Sequence, residues 1–119
     1  DEPTDILGTD TAPNPQELLM AALNACMTVG YVAIAASKGI TVNKLEINTT
    51  GELDLRGFLG LDETVNPGYD EIEYSVFIDA DATPEQLEEI HNAVIQTSPN
   101  CANLSHTTRM KPKLVVVQK

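Results

Sequence analysis

The sequence offers two residues with strongly nucleophilic side chains, the cysteines Cys26 and Cys101. Cys26 lies midway along an apolar stretch that predicts a helix, where desolvation penalises a thiolate. Cys101 follows Ser98-Pro99, a pair that favours the start of a helix, and the unpaired amides of a first helical turn stabilise a thiolate. Reactive thiols are one interpretation of this pair. The other is that both cysteines are inert and buried, as many cysteines in protein cores are.

The helix that must position the first cysteine is predicted over residues 14–39. Asn14 suits the N-cap, a proline follows it, and Glu17 is placed to complete a capping box. Gly39 can adopt the left-handed conformation that ends a helix. Because residues 18–37 carry no charge, the helix is apolar on all sides and is expected to be buried on all sides.

Two settings could bury such a helix. A membrane span is one, since the uncharged stretch is long enough, but no basic flank or aromatic belt marks an orientation. The other is a central helix wrapped by sheet; we expect this one, with no membrane as a partner. Aromatic residues make up only 4% of the chain, and the predicted elements are too few to cover the whole helix. We therefore expect a homodimer with residues 14–38 of both copies at its centre.

Composition narrows the function further. The 119 residues suffice for one domain, and a net charge of −11 argues against nucleic acid as a partner. Two cysteines do not make a disulfide scaffold, and without a secretory signal we expect reduced thiols in the cytoplasm. His91 and His106 lie in different elements without metal-ligand spacing. We therefore expect no metal, no other cofactor, and an ordinary satisfied or half-exposed histidine at position 91.

The rest of the chain predicts an α/β (α+β) domain. Alternation of apolar and polar residues predicts three strands, over 45–55, 72–80 and 110–118. Thr83 and Gln86 predict the start of a second helix through a capping box. The glycine-rich connection over 56–68 is expected to pack as an ordered loop through three apolar anchors, Phe58, Leu59 and Leu61.

Three segments resemble the OsmC/Ohr family, the osmotically inducible and organic hydroperoxide resistance proteins. PQELLMAALNAC, residues 15–26, is similar to the central helix of that family, and SPNCANL, residues 98–104, to its second cysteine segment. DLRGFLGLDE, residues 54–63, resembles an insertion of OsmC-like members. The resemblance implies a single OsmC-like domain that lacks its N-terminal strands. Its expected parts are a linker at 1–13, the central helix at 14–39 and the remainder at 44–119.

The resemblance also implies an intertwined homodimer in which antiparallel sheet wraps two long central helices. The implied activity is that of a thiol-dependent peroxidase acting on organic hydroperoxides, with Cys26 as the peroxidatic and Cys101 as the resolving cysteine. Cys26 would become a sulfenic acid, and Cys101 would convert it to a disulfide. A dithiol reductant, lipoyl-linked in this family, would then restore both thiols.

The sequence departs from the family pattern at the groups that activate the peroxidatic cysteine. The family uses an Arg from a strand before the central helix, held by a Glu near the helix start, but no Arg precedes Cys26 here. Gln16 occupies the Glu position, and a rise of about 15 Å separates it from that cysteine. The adjacent Glu17 is accounted for by the capping box. Within the chain, Arg109 and Arg56 are the candidate cations that could activate Cys26. The alternatives are that the family's Arg lies upstream of residue 1 or was never present.

Three functions are compatible with these residues. The first is a hydroperoxide reductase of OsmC type. The second is an OsmC-like protein that binds a small apolar or thiol-reactive molecule without efficient turnover. The third is a structural or interaction domain whose cysteines are inert. An Arg in an upstream strand pattern would favour the first function, and its absence would favour the second.

Overall fold

The longest element of the computed structural model, which describes residues 1–118, is helix α1, Pro15–Ser37. Both predicted ends are confirmed. The Asn14 side chain accepts the Glu17 backbone N–H at 2.8 Å, and the Glu17 carboxylate accepts the Asn14 N–H at 3.3 Å. Gly39 follows the helix with a φ of 70°, the left-handed conformation that favours glycine at this position. Residues 1–13, predicted as a linker, contain one short 3-10 helix, Thr4–Ile6.

Strands β1 (Val42–Gly51) and β2 (Ile72–Ala80) pair antiparallel in a two-stranded sheet. Side chains on one face of the sheet meet in pairs such as Ile47 opposite Val76, and these residues pack against the core. Period-2 alternation thus produces one apolar face, as predicted, and that face lies against α1.

The connection between the strands differs from the prediction. β1 ends at Gly51 instead of residue 55, because Asp54 begins the short helix α2, Leu55–Phe58, by accepting the Arg56 N–H at 3.1 Å. The expected apolar anchors are exposed, with 64% of Phe58, 53% of Leu59 and 72% of Leu61 open to solvent. Local hydrogen bonds hold the segment in place, so its apolar side chains were wrongly predicted to pack.

Helix α3, Pro84–Thr97, begins at the predicted capping box. Thr83 Oγ1 accepts the Gln86 N–H at 3.2 Å, and Gln86 Oε1 accepts the Thr83 N–H at 2.9 Å. Ser98 ends α3 and caps the following helix α4, Pro99–Ser105. The predicted Ser-Pro helix start is therefore confirmed, and a single residue separates the two helices.

The core lies where one face of α1 meets the sheet, α3 and α4. Its buried residues are Leu23, Met27, Tyr31, Ala35, Ile90, Val94 and Cys101. Gly30 lets α3 approach closely, because a Cβ at this position would lie 3.3 Å from Val94 Cγ1. The opposite face of α1 is open, with 68% of Val29 and 49% of Val32 exposed. Within one chain the helix is thus not buried on all sides.

The predicted strand over 110–118 is not formed. Residues 107–118 contain no helix or strand, and Leu114 to Val117 are 66–88% exposed. Alternation stabilises a strand only when a neighbouring strand accepts its hydrogen bonds, and within residues 1–118 no strand pairs with this segment. Lys119, the last residue of the predicted domain, lies outside the described residues.

By length and composition α1 could cross a membrane, and among the described residues it is the helix with this property. It nevertheless contributes Leu23, Met27, Tyr31 and Ala35 to the core shared with the sheet and α3. The helix thus packs along one face, while its opposite face is open within one chain.

Candidate functional site

The Ser98 hydroxyl links the two cysteine segments. Ser98 is only 5% exposed, and its Oγ accepts the backbone N–H of Cys101 at 3.4 Å. The same hydroxyl donates to Cys26 Sγ, also at 3.4 Å. Because Ser98 Oγ accepts the Cys101 N–H, its own O–H can donate to the Cys26 sulfur. Both cysteines are free thiols, and the fold brings their segments together across 75 positions of sequence.

Small residues on α1 allow this approach. Ala22, Cys26 and Gly30 follow one another at four-residue spacing on one side of the helix. α4 docks beside the first of them through the Asn100 side-chain amide, which donates to the Ala22 carbonyl at 3.0 Å. This contact closes the α3–α4 junction over the middle of α1 and holds Ser98 in place.

The two thiols have different surroundings. Cys26 is half-buried, whereas Cys101 is 6% exposed. Cys101 lines a cleft of about 350 Å³ between the start of α1, β2, α3 and α4. Apolar side chains form most of its wall, including Leu19, Leu23, Ile95 and Leu104, and Asp70 and Glu71 add carboxylates. A small apolar molecule that enters this cleft therefore reaches Cys101.

Two tyrosines, Tyr31 and Tyr74, lie near Cys101, and a histidine binds the first of them. The Tyr31 hydroxyl lies 2.5 Å from His91 Nδ1, and the two rings stack with centroids 6.1 Å apart. Burial, together with Tyr74 and Cys101, raises the pKa of Tyr31 to about 12. Burial, and then the neighbouring Cys101 thiol, also raises the pKa of Tyr74. His91 is thus a satisfied structural histidine, as predicted.

The structure places the other predicted site residues as follows. Gln16 is half-buried and lines the Cys101 cleft, while Glu17 is exposed and engaged in the α1 cap. Arg56 binds Asp54 at 2.6 Å, and its hydrogen bonds lower the pKa of that carboxyl. Arg109 is exposed in the segment after α4. Within residues 1–118 neither arginine contacts a thiol.

No group of three metal-binding side chains exists among the described residues. The residues that the sequence did not assign to the site are Ser98 as a link between thiols, and Tyr31 and Tyr74 as neighbours of Cys101. The sequence predicted Ser98 only as the N-cap of the helix that holds Cys101. Tyr74 lay on the apolar face of a predicted strand, which indicated that it would face the core but not what it would meet there.

Comparisons with known proteins agree with this fold. The model of the family described as OsmC-like protein matches residues 8–113. An OsmC-like protein from Mycoplasma pneumoniae has a TM-score of 0.69 and 26% identity, over 82% of this chain and 67% of that chain. An OsmC-like hydroperoxide resistance protein from Jannaschia sp. CCS1 has a TM-score of 0.68 and 18% identity, over 92% and 71%.

An OsmC-like protein of unknown function from Vibrio cholerae has a TM-score of 0.58 and 17% identity, over 83% of this chain and 66% of that chain. The chain thus spans about two thirds of the length of these solved structures. No curated protein matches the sequence. Because the family match covers most of the residues and the solved folds agree, this chain belongs to the OsmC-like protein family.

Proposed function

We propose that this chain reduces organic hydroperoxides through a dithiol–disulfide cycle of Cys26 and Cys101. The Cys26 thiolate attacks the terminal oxygen of R–O–OH; an S–O bond forms, the O–O bond breaks, and the alkoxide takes up a proton as it leaves. The peroxide is reduced to an alcohol, and Cys26 is oxidised to a sulfenic acid. Cys101 then attacks the Cys26 sulfur, forming the disulfide and releasing water. An external dithiol reduces the disulfide and is itself oxidised.

The Ser98 hydroxyl is the observation that carries this proposal. It donates to Cys26 Sγ while it accepts from the first turn of the helix that holds Cys101. A hydrogen bond to sulfur favours the thiolate over the neutral thiol. A second thiol segment anchored on the same hydroxyl is well placed for the resolving step. In this scheme Cys26 is the catalytic nucleophile, Cys101 the resolving thiol, and Ser98 a positioning residue.

The description of one relative is consistent with the same type of activity. A relative with the same fold, from Jannaschia, is described as a hydroperoxide resistance protein. We further propose that a homodimer covers the open face of α1, where Val29 and Val32 are exposed, and that an apolar hydroperoxide and a lipoyl-type dithiol are the substrates. Gln16 lines the Cys101 cleft, whereas Arg109 is exposed and is expected to contribute little to the rate.

The direct test is a titration of the reduced protein with one equivalent of an organic hydroperoxide. We expect the loss of two thiols per chain and one intramolecular Cys26–Cys101 disulfide, identified by peptide mass spectrometry. If Cys26 is over-oxidised while Cys101 remains a thiol, Cys101 is not the resolving cysteine. Light scattering at micromolar concentration tests the assembly, and the mass of one chain would contradict the homodimer.

A binding protein without efficient turnover is the second candidate. The observation in its favour is the absence, within residues 1–118, of a cation in contact with either thiol, since Arg56 is engaged by Asp54 and Arg109 is exposed. A stopped-flow measurement of peroxide consumption separates the two functions. A second-order rate constant no higher than that of free cysteine would favour binding in the Cys101 cleft over catalysis.

A further inference from the structure

The Cys101 cleft opens to one of the two thiols. Among residues 1–118, its wall includes Cys101 and does not include Cys26. α1 adds Leu23 to the wall and α4 adds Leu104, so a molecule in the cleft lies against apolar side chains and reaches Cys101. The proposed peroxide step takes place at Cys26 and leaves this cleft unused. The cleft is therefore a separate route to the resolving cysteine.

The Ser98 hydroxyl makes the two sulfurs unequal as leaving groups. It donates to Cys26 Sγ at 3.4 Å, and a thiolate that accepts a hydrogen bond is stabilised. In thiol–disulfide exchange the rate depends on which sulfur is attacked, and the other sulfur departs faster when its thiolate is more stable. An attack on the Cys101 sulfur therefore expels the sulfur that Ser98 stabilises.

The charges around the cleft restrict what can enter it. Among residues 1–118, the charged side chains of its wall are two exposed carboxylates, Asp70 and Glu71, and no Lys, Arg or His lines it. The same two residues continue into an acidic surface that includes Glu52 and Glu73. An anionic thiol is repelled by these charges, whereas an uncharged apolar thiol is not. Because the carboxylates are exposed, salt should weaken the repulsion.

We propose that the Cys101 cleft admits the reductant: an uncharged apolar dithiol enters it and attacks the Cys101 sulfur of the disulfide. This inference rests on the proposed function. A sulfur–sulfur bond forms between the dithiol and Cys101, the Cys26–Cys101 bond breaks, and Cys26 leaves as the thiolate beside the Ser98 hydroxyl and takes up a proton. The second thiol of the reductant then attacks the reductant's own sulfur in the mixed disulfide. Cys101 leaves and is protonated, and the dithiol, oxidised by two electrons, departs as a disulfide.

The first experiment identifies the sulfur that is attacked. Diamide converts the reduced full chain to the Cys26–Cys101 disulfide without peroxide, and benzyl mercaptan, an uncharged apolar monothiol, then serves as the reductant. Samples are quenched in acid at millisecond to second times, and peptide mass spectrometry locates the adduct. We expect the benzylthio adduct on Cys101 and a free Cys26 thiol at the earliest times. An adduct mainly on Cys26, or divided equally, would overturn the inference.

The second experiment compares rates and needs no trapped adduct. Benzyl mercaptan and para-(mercaptomethyl)benzoic acid, which has the same benzylic thiol and adds a carboxylate, reduce the diamide-formed disulfide at low salt. We expect Asp70→Asn/Glu71→Gln to lower the preference for the uncharged thiol about three- to fivefold. The matched control is Glu63→Gln/Glu85→Gln, which removes two exposed charges that do not line the cleft and should leave the preference nearly unchanged. Equal changes in the two double variants show that the reductant does not pass Asp70 and Glu71, and they overturn the inference.

These results are separable from a failure of the proposed function. A disulfide that forms with diamide but not with an organic hydroperoxide overturns the proposed function, and the position of the benzylthio adduct then still decides the route of reduction. A peroxide-formed disulfide that takes the adduct on Cys26 overturns the inference while peroxide reduction stands. A chain that forms no disulfide with either oxidant overturns both.

Discussion

The Ser98 hydroxyl contacts the Cys26 sulfur and the backbone N–H of Cys101, but the two cysteines lie in different surroundings. Cys26 lies in the middle of a long helix, half-buried, and its hydrogen-bond partner is Ser98. Cys101 lies in the first turn of a short helix, almost fully buried, beside Tyr31 and Tyr74 and at the wall of an apolar cleft. Cys26 is thus positioned by the middle of a long helix, whereas Cys101 is positioned by the cap and the first turn of a short one.

The difference suits an ordered pair of reactions. The thiol that meets the oxidant needs access and one well-directed hydrogen bond, which the half-buried Cys26 has. The resolving thiol has to reach oxidised Cys26, and its helix is anchored on the hydroxyl that donates to the Cys26 sulfur. Cys101 itself exposes only 6% of its surface, at the wall of the apolar cleft. Each prediction below tests one side of this contrast.

The largest effect is expected from the cysteines themselves. Cys26→Ser should slow hydroperoxide consumption at least about a hundredfold, because a hydroxyl lacks thiolate reactivity. Cys101→Ser should retain the first turnover but accumulate sulfinic acid at Cys26 under excess peroxide. Stopped-flow kinetics with intact-mass analysis measures both. Equal losses in the two variants would mean that the thiols do not differ in role.

Ser98→Ala should affect the Cys26 side more than the Cys101 side. The loss of the hydroxyl removes the hydrogen bond to the Cys26 sulfur and should slow sulfenic acid formation about tenfold. It also removes the α4 cap, which should lower the free energy of unfolding by about 1 kcal/mol.

Thr83→Ala is the matched control for Ser98→Ala, because it removes the corresponding cap of α3. We expect a similar loss of stability, measured by urea unfolding, and an unchanged rate of peroxide reaction. Equal slowing by the two variants would show that Ser98 acts through stability alone and makes no specific contribution to Cys26.

Tyr31→Phe tests how far water is excluded from the Tyr31 hydroxyl, which lies near Cys101. Below about pH 10 the phenol is protonated in both folded and unfolded chains, but between pH 10 and the folded pKa of about 12 only the unfolded chain loses the proton. Stability of the parent should therefore fall as pH rises through this window. The variant should lose about 1 to 2 kcal/mol less over the same range. Parallel urea-unfolding curves at pH 8 and 11 would contradict the burial of this hydroxyl.

The smallest effect is expected from the arginines. Arg56→Met and Arg109→Met should each change the rate of sulfenic acid formation by less than about twofold at moderate salt, since exposed charges are screened. A rate that falls tenfold or more in Arg109→Met would identify this residue as the activating cation and would place it in the site of the assembled protein.

Local signals in the sequence predicted much of this architecture. The caps at Asn14, Thr83 and Ser98 are confirmed because capping depends on residues three positions apart. Strand alternation likewise predicted which face of the sheet is apolar. The two cysteines were identified as the candidate nucleophiles from residue type and predicted helix alone, and that assignment is carried forward in the proposed function.

Contacts between distant segments could not be predicted. Tyr31 meets His91 across 60 positions, and the Ser98 hydroxyl reaches Cys26 across 72. Local patterns also predicted packing or a strand at two places where the structure has neither. The apolar residues of the connection around Phe58 are exposed, and the alternating segment 110–118 forms no strand. Alternation and hydrophobicity show which side chains a segment could bury. Whether they are buried depends on a neighbouring surface for them to pack against.

The two-stranded sheet has a consequence for solubility. Each strand presents one edge whose backbone groups have no strand partner among residues 1–118, and such edges are templates for aggregation. Charged side chains on the exposed face, Lys44, Glu46, Glu73 and Asp79, discourage edge-to-edge association, and a net charge of −11 keeps chains apart. Near the isoelectric point of about 4.3 the net charge vanishes, and chains no longer repel one another, while the edges stay as they are. Association through these edges should therefore be strongest near this pH.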